Sequence, residues 1–367
     1  MKVLFAGGGT GGHLYPAIAV AKEICKTYPS SEILFAGNKN GIESELVPKE
    51  GFNIKFISSG GLSSNPIKAL KSILKLSKGT IESLSLISKF RPDIIVGSGG
   101  YVSAPVTFAG KLKKIPVILL EQNTIPGKTN RLVGKIADKI CASFSESLNF
   151  LPKDKTVITG NPVRPEILSA EREKSRDILE IPQDRLCLLV AGASQGAKSI
   201  NDALLKTLTY WKEKNWTILH IAGEKHYKNV KAESEKILTE NQLDYRCYPF
   251  MKDIHNAYAA CDLAVCRAGA TTIAEITARG TACVMVPYPH AAENHQEKNA
   301  QWLEKNGAGI MIKDCDVNEK FKKIIEELIE NAEKRNEMET KAKQLGKPYA
   351  ICEILKVLEE AMPKDKR

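Results

Sequence analysis

Short apolar runs recur along the chain, separated by stretches in which apolar positions return every three or four residues. Val3–Ala6, Ile33–Ala36, Ile54–Ile57, Ile94–Val96, Val117–Leu120, Ile140–Ala142 and Val157–Thr159 are such runs, rich in β-branched residues and bounded by glycine or polar residues. They read as buried strands. Between them, Ala17–Thr27 and Pro66–Phe90 carry helical spacing. The pattern then restarts with Leu186–Ala191, Ile218–Ala222, Leu263–Cys266, Cys283–Val286 and Gly309–Ile312 as strands, and 199–211, Ile254–Ala260 and 293–306 as helices. Strands that are apolar throughout, alternating with helices, predict α/β architecture with parallel sheets covered on both faces.

Each series opens with the same device. The first strand runs into Gly7-Gly8-Gly9-Thr10-Gly11-Gly12, and the first run of the second series, Leu186–Ala191, into Gly192-Ala193-Ser194-Gln195-Gly196-Ala197; a helix follows each. Two such openings predict two doubly wound halves. Gly160-Asn161-Pro162-Val163-Arg164-Pro165 suits a rigid join between them. The stretch after about Lys334 reads as charged helix.

A glycine turn from a strand into a helix is a ready anion site, because unsatisfied N–H groups and the helix dipole both favour negative charge. Gly7, Gly9 and Gly12 match G-x-G-x-x-G, so a dinucleotide site is one reading. The second strand ends in Gly37-Asn38, with no carboxylate placed for a ribose, which argues against it. His13 opens the first helix, where the dipole disfavours a protonated ring; a neutral, proton-accepting imidazole and a structural one are both open. A third site is Cys266–Glu275, a strand end, a small-residue turn and a helix start. There Glu275 could accept bonds from ribose hydroxyls, or Thr272 and Glu275 could form a capping box.

Composition narrows the partner. The chain has 367 residues, 43% apolar and 26% charged, enough for about two domains. Its net charge is +10. Residues 1–165 hold 22 Lys and Arg against 11 Asp and Glu, whereas the remainder holds 31 against 32, so an anionic partner should meet the first half. Nucleic acid is disfavoured, because aromatics are only 6% and no reader motif occurs. The nine cysteines stand singly, which suits buried thiols in a reducing cytosol. No apolar run is long enough to span a bilayer, and the run at the N-terminus is too short for a signal peptide.

The strings Gly8–His13, Gly97–Pro105, Glu121-Gln122-Asn123, Gly160–Arg164, Ala193–Ala197, Cys266–Glu275, and His295-Gln296 with Asn299-Ala300 occur in order over most of the chain. Together they make the sequence resemble the MurG family of bacterial N-acetylglucosaminyltransferases, which complete lipid II of the cell wall. The resemblance implies the α/β fold called GT-B, two Rossmann-like doubly wound parallel-sheet domains facing each other across a cleft. It implies an N-terminal acceptor and membrane-facing domain over residues 1–162 and a C-terminal UDP-sugar domain over 163–345. A final helix, 346–367, would pack back on the N-terminal domain.

The same resemblance implies site residues. Glu275 corresponds to the ribose ligand, Ala270, Thr271 and Thr272 to the lining of diphosphate and sugar, and Met251 to the place whose backbone reads the uracil. Ser194 corresponds to a phosphate contact, Arg164 to a nucleotide-site residue, and Gln296 and Asn123 to contacts with sugar hydroxyls. Thr10, Gly11 and Gly12 would approach the donor from the other domain, His13 is the candidate base, and Tyr101 lies on the acceptor side. Many relatives have His where this chain has Leu120, so no imidazole role carries over there, and only Gln296 of the His295-Gln296 pair matches a glutamine.

The implied reaction is attack of the N-acetylmuramyl 4-hydroxyl of lipid I on the anomeric carbon of UDP-N-acetylglucosamine, with inversion. It needs a base, and positive potential that helix N-termini can supply without metal or cofactor. Asp314-Cys315-Asp316 is a D-x-D string, read here as the entry to a helix capped by Asp316 rather than a metal site. Ile67, Leu70, Ile73, Leu74 and Ser77 follow helical spacing beside a stripe of Lys68, Lys71, Lys75 and Lys78, with Lys111, Lys113 and Lys114 as an extension. Such a helix docks on an anionic membrane surface, here the cytoplasmic face of the bacterial membrane, or packs on the core with a solvated basic face. Alternatives to the transferase are a nucleotide-sugar epimerase of similar fold and a non-catalytic UDP-sugar binder on the membrane.

Overall fold

The computed structural model describes residues 1–61, 66–192, 196–239 and 242–362; in the helix that starts at Pro66, side chains are described from Ser72 onward. The chain forms two compact units, Met1–Pro162 with the segment from Tyr349 onward, and Val163–Pro348. The first contains the strands β1 (Lys2–Gly7), β2 (Glu32–Gly37), β3 (Asn53–Phe56), β4 (Ile94–Gly99), β5 (Val117–Glu121), β6 (Lys139–Ala142) and β7 (Thr156–Ile158). The second contains β8 (Leu186–Ala191), β9 (Trp216–Ile221), β10 (Asp244–Tyr248), β11 (Leu263–Cys266), β12 (Cys283–Met285) and β13 (Ile310–Met311).

The sheets run β3-β2-β1-β4-β5-β6-β7 and β10-β9-β8-β11-β12-β13, every described pairing being parallel. Both orders reverse direction once, between β1 and β4 and between β8 and β11. Central strands are buried on both faces: all of Val3–Gly7 and Ile94–Gly99 in unit 1, and Cys187–Ala191 in unit 2. That double burial is why they lack polar–apolar alternation. Unit 1 has one core layer on each side of its sheet, one built on Leu14, Ile18 and Ile24, the other on Ile87, Val106 and Val133. Unit 2 centres on Trp211, Trp216 and Phe321, with the two indoles 5.3 Å apart edge to face.

The last helix, Ala350–Ala361, follows unit 2 in sequence but packs in unit 1. Ile354, Leu355, Val357 and Leu358 join the core of the helix Gly11–Thr27, and the Tyr28 hydroxyl bonds Glu359.

Three local expectations differ. The edge strand β10 is an addition to the expected series, since all five of its residues are half-buried and they form no apolar run. The first helix starts at Gly11, not Ala17, because Thr10 already accepts the opening bonds from His13 and Leu14. The helix after β11 starts at Ala270, with Gly269 before it, so Thr272 lies inside the helix and no capping box forms.

Candidate active site

In an open parallel sheet, ligands sit beyond the carboxyl ends of the strands where the order reverses. In unit 1 those ends are Gly7 of β1 and Gly99 of β4. Ser103 ties them together, its hydroxyl bonding the carbonyls of Ala6 and Gly99 at 2.8 Å and accepting the Gly99 N–H at 3.1 Å.

The glycine turn after β1 is shaped around a carboxylate of the chain itself. Glu43 is 1% exposed, and its two oxygens accept the N–H groups of Gly9 and Asn38, both at 2.9 Å. A Cβ on Gly8 or Gly41 would stand 2.2 Å from that carboxylate. The glycines of the dinucleotide-like spacing are set by other neighbours: a Cβ on Gly7 would strike Ser98, Gly9 has a φ of +83°, and its N–H is already satisfied by Glu43. Thr10 and Gly12 are exposed and Gly11 half-exposed at the helix start beyond it.

His13 lies under β4. A Cβ on Gly99, whose φ is +102°, would fall 2.6 Å from its Nδ1, so the ring needs glycine there. His13 Nδ1 is 2.9 Å from Gln122 Oε1. Burial lowers the ring's pKa below 6.5, outweighing the opposing hydrogen bonds to Gln122 and the Ser98 carbonyl, so the imidazole is neutral near pH 7. Gln122 is 1% exposed and its amide nitrogen donates to the carbonyls of Ser98 and Leu120, each at 3.2 Å. Beside it, Glu121 accepts from the Asn123 N–H and from Asn130 Nδ2, both at 2.9 Å, and burial pushes its carboxyl up to about 7. Asn123 is buried by the same bonds. Leu120 packs in the core with Val96 and Cys141. Tyr101 is half-exposed, its ring against Gly61.

In unit 2 the corresponding ends are Ala191 of β8 and Cys266 of β11. Gly196, at φ +73°, passes so close to the Ala222 carbonyl that any side chain would collide with it. Ser194 lies outside the described residues. After β11, Ala270 is buried and Thr271 and Thr272 half-exposed in the first turn of the helix Ala270–Arg279. One turn on, Glu275 is 4% exposed and accepts from Arg164 Nε at 2.8 Å. Burial raises the Glu275 pKa and Arg164 offsets part of that; burial opposes the Arg164 charge too, but Glu275 more than restores it. Gln296 accepts the Tyr288 N–H at 3.0 Å, and Met251 is half-buried after β10.

Arg267, Gln122 and Glu43 carry no role in the sequence-based expectations. Arg267 is 8% exposed and holds the carbonyls of Val286 and Pro287, Ser199 Oγ and the Asp314 carboxylate, with Tyr288 stacked on it. It therefore joins the turn after β11 to the helix after β8 and to the loop before Gln296. Asp314 is engaged there, and Asp316 pairs with Lys320 instead of capping its helix. Among the described residues no cluster suited to a metal occurs.

Along the helix Pro66–Phe90, Ser72, Gly79, Ser83 and Ile87 face inward, with Leu76 partly buried against the same core. Ile73, Leu74 and Ile81 are 56%, 62% and 69% exposed, next to exposed Lys75 and Lys78. The core-packing alternative thus fails for Ile73 and Leu74. The side chains of Ile67, Lys68, Leu70 and Lys71 lie outside the described residues. Lys111 is paired with Asp138 at 2.7 Å. No described helix is long and apolar enough to cross a membrane.

Comparison with known proteins gives two family matches, the glycosyltransferase family 28 N-terminal domain over residues 3–142 and its C-terminal domain over 187–354. A relative from Thermodesulfovibrio yellowstonii is 41% identical over 371 residues, covering 99% of each chain. It is named UDP-N-acetylglucosamine–N-acetylmuramyl-(pentapeptide) pyrophosphoryl-undecaprenol N-acetylglucosamine transferase. One of the same name from Clostridioides difficile is 40% identical, covering 97% of this chain and 89% of its own. Among solved structures, Acinetobacter baumannii MurG matches with a TM-score of 0.80 and 28% identity over 98% of this chain and 99% of its own. The UDP-GlcNAc 2-epimerase of Neisseria meningitidis matches at 0.66 with 16% identity, over 98% of this chain and all of its own, a likeness of fold.

Proposed function

Since the chain belongs to glycosyltransferase family 28, we infer that its two parallel-sheet α/β domains form a GT-B glycosyltransferase of bacterial peptidoglycan synthesis. It transfers N-acetylglucosamine from UDP-N-acetylglucosamine to the N-acetylmuramyl-pentapeptide of lipid I, giving lipid II. The observation that carries this is full-length similarity, near 40% identity, to relatives named for that reaction.

The residue roles are our proposal. Unit 1 takes the acceptor and unit 2 the donor. The acceptor O4 forms a bond to the anomeric carbon as the bond from that carbon to UDP breaks, which inverts the centre. His13 takes the hydroxyl proton, a role its neutral ring supports. Glu275, held by Arg164, accepts the vicinal ribose hydroxyls, and the helix start at Ala270–Thr272 faces the diphosphate whose charge grows as UDP leaves. Gln296, Asn123, Met251, Ser194, Thr10, Gly11 and Gly12 complete the donor contacts, and Tyr101 meets the acceptor.

The exposed apolar and basic face of Pro66–Phe90 supports peripheral docking on the anionic cytoplasmic membrane surface, where the lipid acceptor resides. The test is an assay with UDP-N-acetylglucosamine and a short-chain lipid I analogue. UDP release only in the presence of the analogue, with the disaccharide formed, is the expected result. An epimerised sugar formed without acceptor, or binding without turnover, would overturn the reading.

A further inference from the structure

The hydrogen bonds around Gln122 decide a property of His13 that burial alone leaves open. A neutral imidazole carries one proton, on either Nδ1 or Nε2, and only the bare nitrogen can act as a base. The Gln122 amide has its own orientation settled by two backbone groups. Its nitrogen lies 3.2 Å from the carbonyl oxygens of both Ser98 and Leu120, and carbonyls only accept. The NH₂ end must therefore face them. That leaves Oε1, a pure acceptor, 2.9 Å from His13 Nδ1. An acceptor needs a donor, so Nδ1 carries the proton.

We propose that Gln122 is a positioning residue that holds His13 in its Nδ1–H tautomer, leaving the Nε2 lone pair to receive the acceptor hydroxyl proton. The second half rests on His13 being the base, as proposed above. In free imidazole side chains the Nε2–H form is the commoner one, so the preference must be imposed. Here it is imposed by a residue 109 positions away, on the end of β5, that is itself buried and fully bonded. Asn130 and the Glu121 carboxylate fix the same strand end, Asn130 sharing the Leu120 carbonyl with Gln122 at 3.1 Å. The arrangement supplies the orienting role that a carboxylate plays in Ser–His–Asp sites, where loss of the correct tautomer costs about 10⁴-fold in rate. A neutral amide does so without the charge that would raise the ring's pKa.

The test begins with the unmodified protein. With ¹⁵N-labelled histidine, the His13 resonances are identified by their absence from His13→Ala. Above the ring's pKa, they should show a protonated Nδ1 and a bare Nε2; the opposite pattern overturns the proposal. Gln122→Leu removes the acceptor. It should shift the ring towards Nε2–H and lower kcat on the order of tenfold or more, with the KM for UDP-N-acetylglucosamine unchanged. An unaltered ¹⁵N pattern in a folded Gln122→Leu protein also overturns it. Gln122→Glu keeps an acceptor on Nδ1 but adds charge, so it should retain the tautomer and move the acid limb of the kcat profile to higher pH. Two carboxylates on neighbouring elements are already engaged, Glu43 behind the glycine turn by the Gly9 and Asn38 N–H groups and Glu121 by Asn123 and Asn130, and the ring's own helix carries Tyr15, Lys22, Glu23, Cys25 and Lys26. Between Ile94 and Gly100 β4 and its turn bring none. If His13→Ala turns over normally, the base assignment fails; the ¹⁵N pattern of the unmodified ring then still decides the tautomer.

Discussion

The two sheets share one strand order and one reversal, yet the chemistry at the two reversals differs. In unit 1 the glycine turn closes around Glu43, an anion the chain supplies, and the polar groups converge on a histidine. In unit 2 the turn after β11 runs through Ala268 and Gly269 into a helix, and a buried carboxylate one helical turn on faces an arginine. The excess charge follows the same division, since it all lies in the first half of the chain. A shared backbone thus fixes where a site forms, while a few side chains reaching across it give the two sites different chemistry.

His13→Ala should break the comparison most sharply. It should cut turnover on the order of 10²–10⁴-fold while UDP binding to unit 2, read by calorimetry, stays within error. A mutant that loses both equally would show that the halves do not divide the labour. Glu275→Ala is the converse: the KM for UDP-N-acetylglucosamine should rise roughly ten- to a hundredfold, the worth of one or two charge-assisted hydrogen bonds. Its circular dichroism should be unchanged, because Arg164 is 47% exposed and can turn to water.

Lys75→Gln with Lys78→Gln tests whether the charge asymmetry has a use. At about 1 kcal/mol per basic residue near an anionic surface, vesicle binding should weaken roughly thirtyfold with UDP affinity intact. Equal sedimentation with phosphatidylglycerol vesicles would place the membrane face elsewhere. The smallest effect concerns pH. Glu121 in the folded unit titrates near 7, above its ordinary 4.5, so the native state binds its proton more tightly than the unfolded chain. The stability that proton confers is complete below pH 4.5 and lost as pH rises through 7. The Tm should therefore fall by a few degrees between pH 6 and pH 8, at about 2–4 °C per kcal/mol, and less so in Glu121→Gln. His13 gives the opposite sign, since its pKa is lowered; its contribution grows as pH rises from the lowered value to 6.5, so it opposes the fall only at the lower edge of that window.

Much of the fold was legible because the central strands are buried on both faces, and runs such as Val3–Ala6 and Cys187–Ala191 allow little else. The edge strand β10 was not, since half-burial leaves no apolar run to read. His13, Glu275 and Arg164 became candidates through the motifs that contain them. Their local settings were less accessible: the alternative role for Glu275 as half of a capping box depended on a helix start two residues from its true place. Glu43, Gln122 and Arg267 act on backbone or rings 34, 109 and 19 or more positions away. No local periodicity encodes such pairings. The one available signal was Gln122's place inside the Glu121-Gln122-Asn123 string.

The helix Ala350–Ala361 sets a schedule for synthesis. Ile354, Leu355, Val357 and Leu358 belong to the core of the unit that begins at Met1, yet the whole of Val163–Pro348 is translated between them. At about 5–20 residues per second, a ribosome needs roughly 10–40 s to cross that interval. Meanwhile the nascent N-terminal unit lacks four aliphatic side chains worth roughly 1.5–3 kcal/mol each, a sum comparable with a domain's whole net stability of about 5–15 kcal/mol. The face formed by Leu14, Ile18 and Ile24 is thus uncovered on one side until that helix has been made and has docked. Synthesis of the helix Ala350–Ala361, and not emergence of the first 162 residues, completes the core of the first unit.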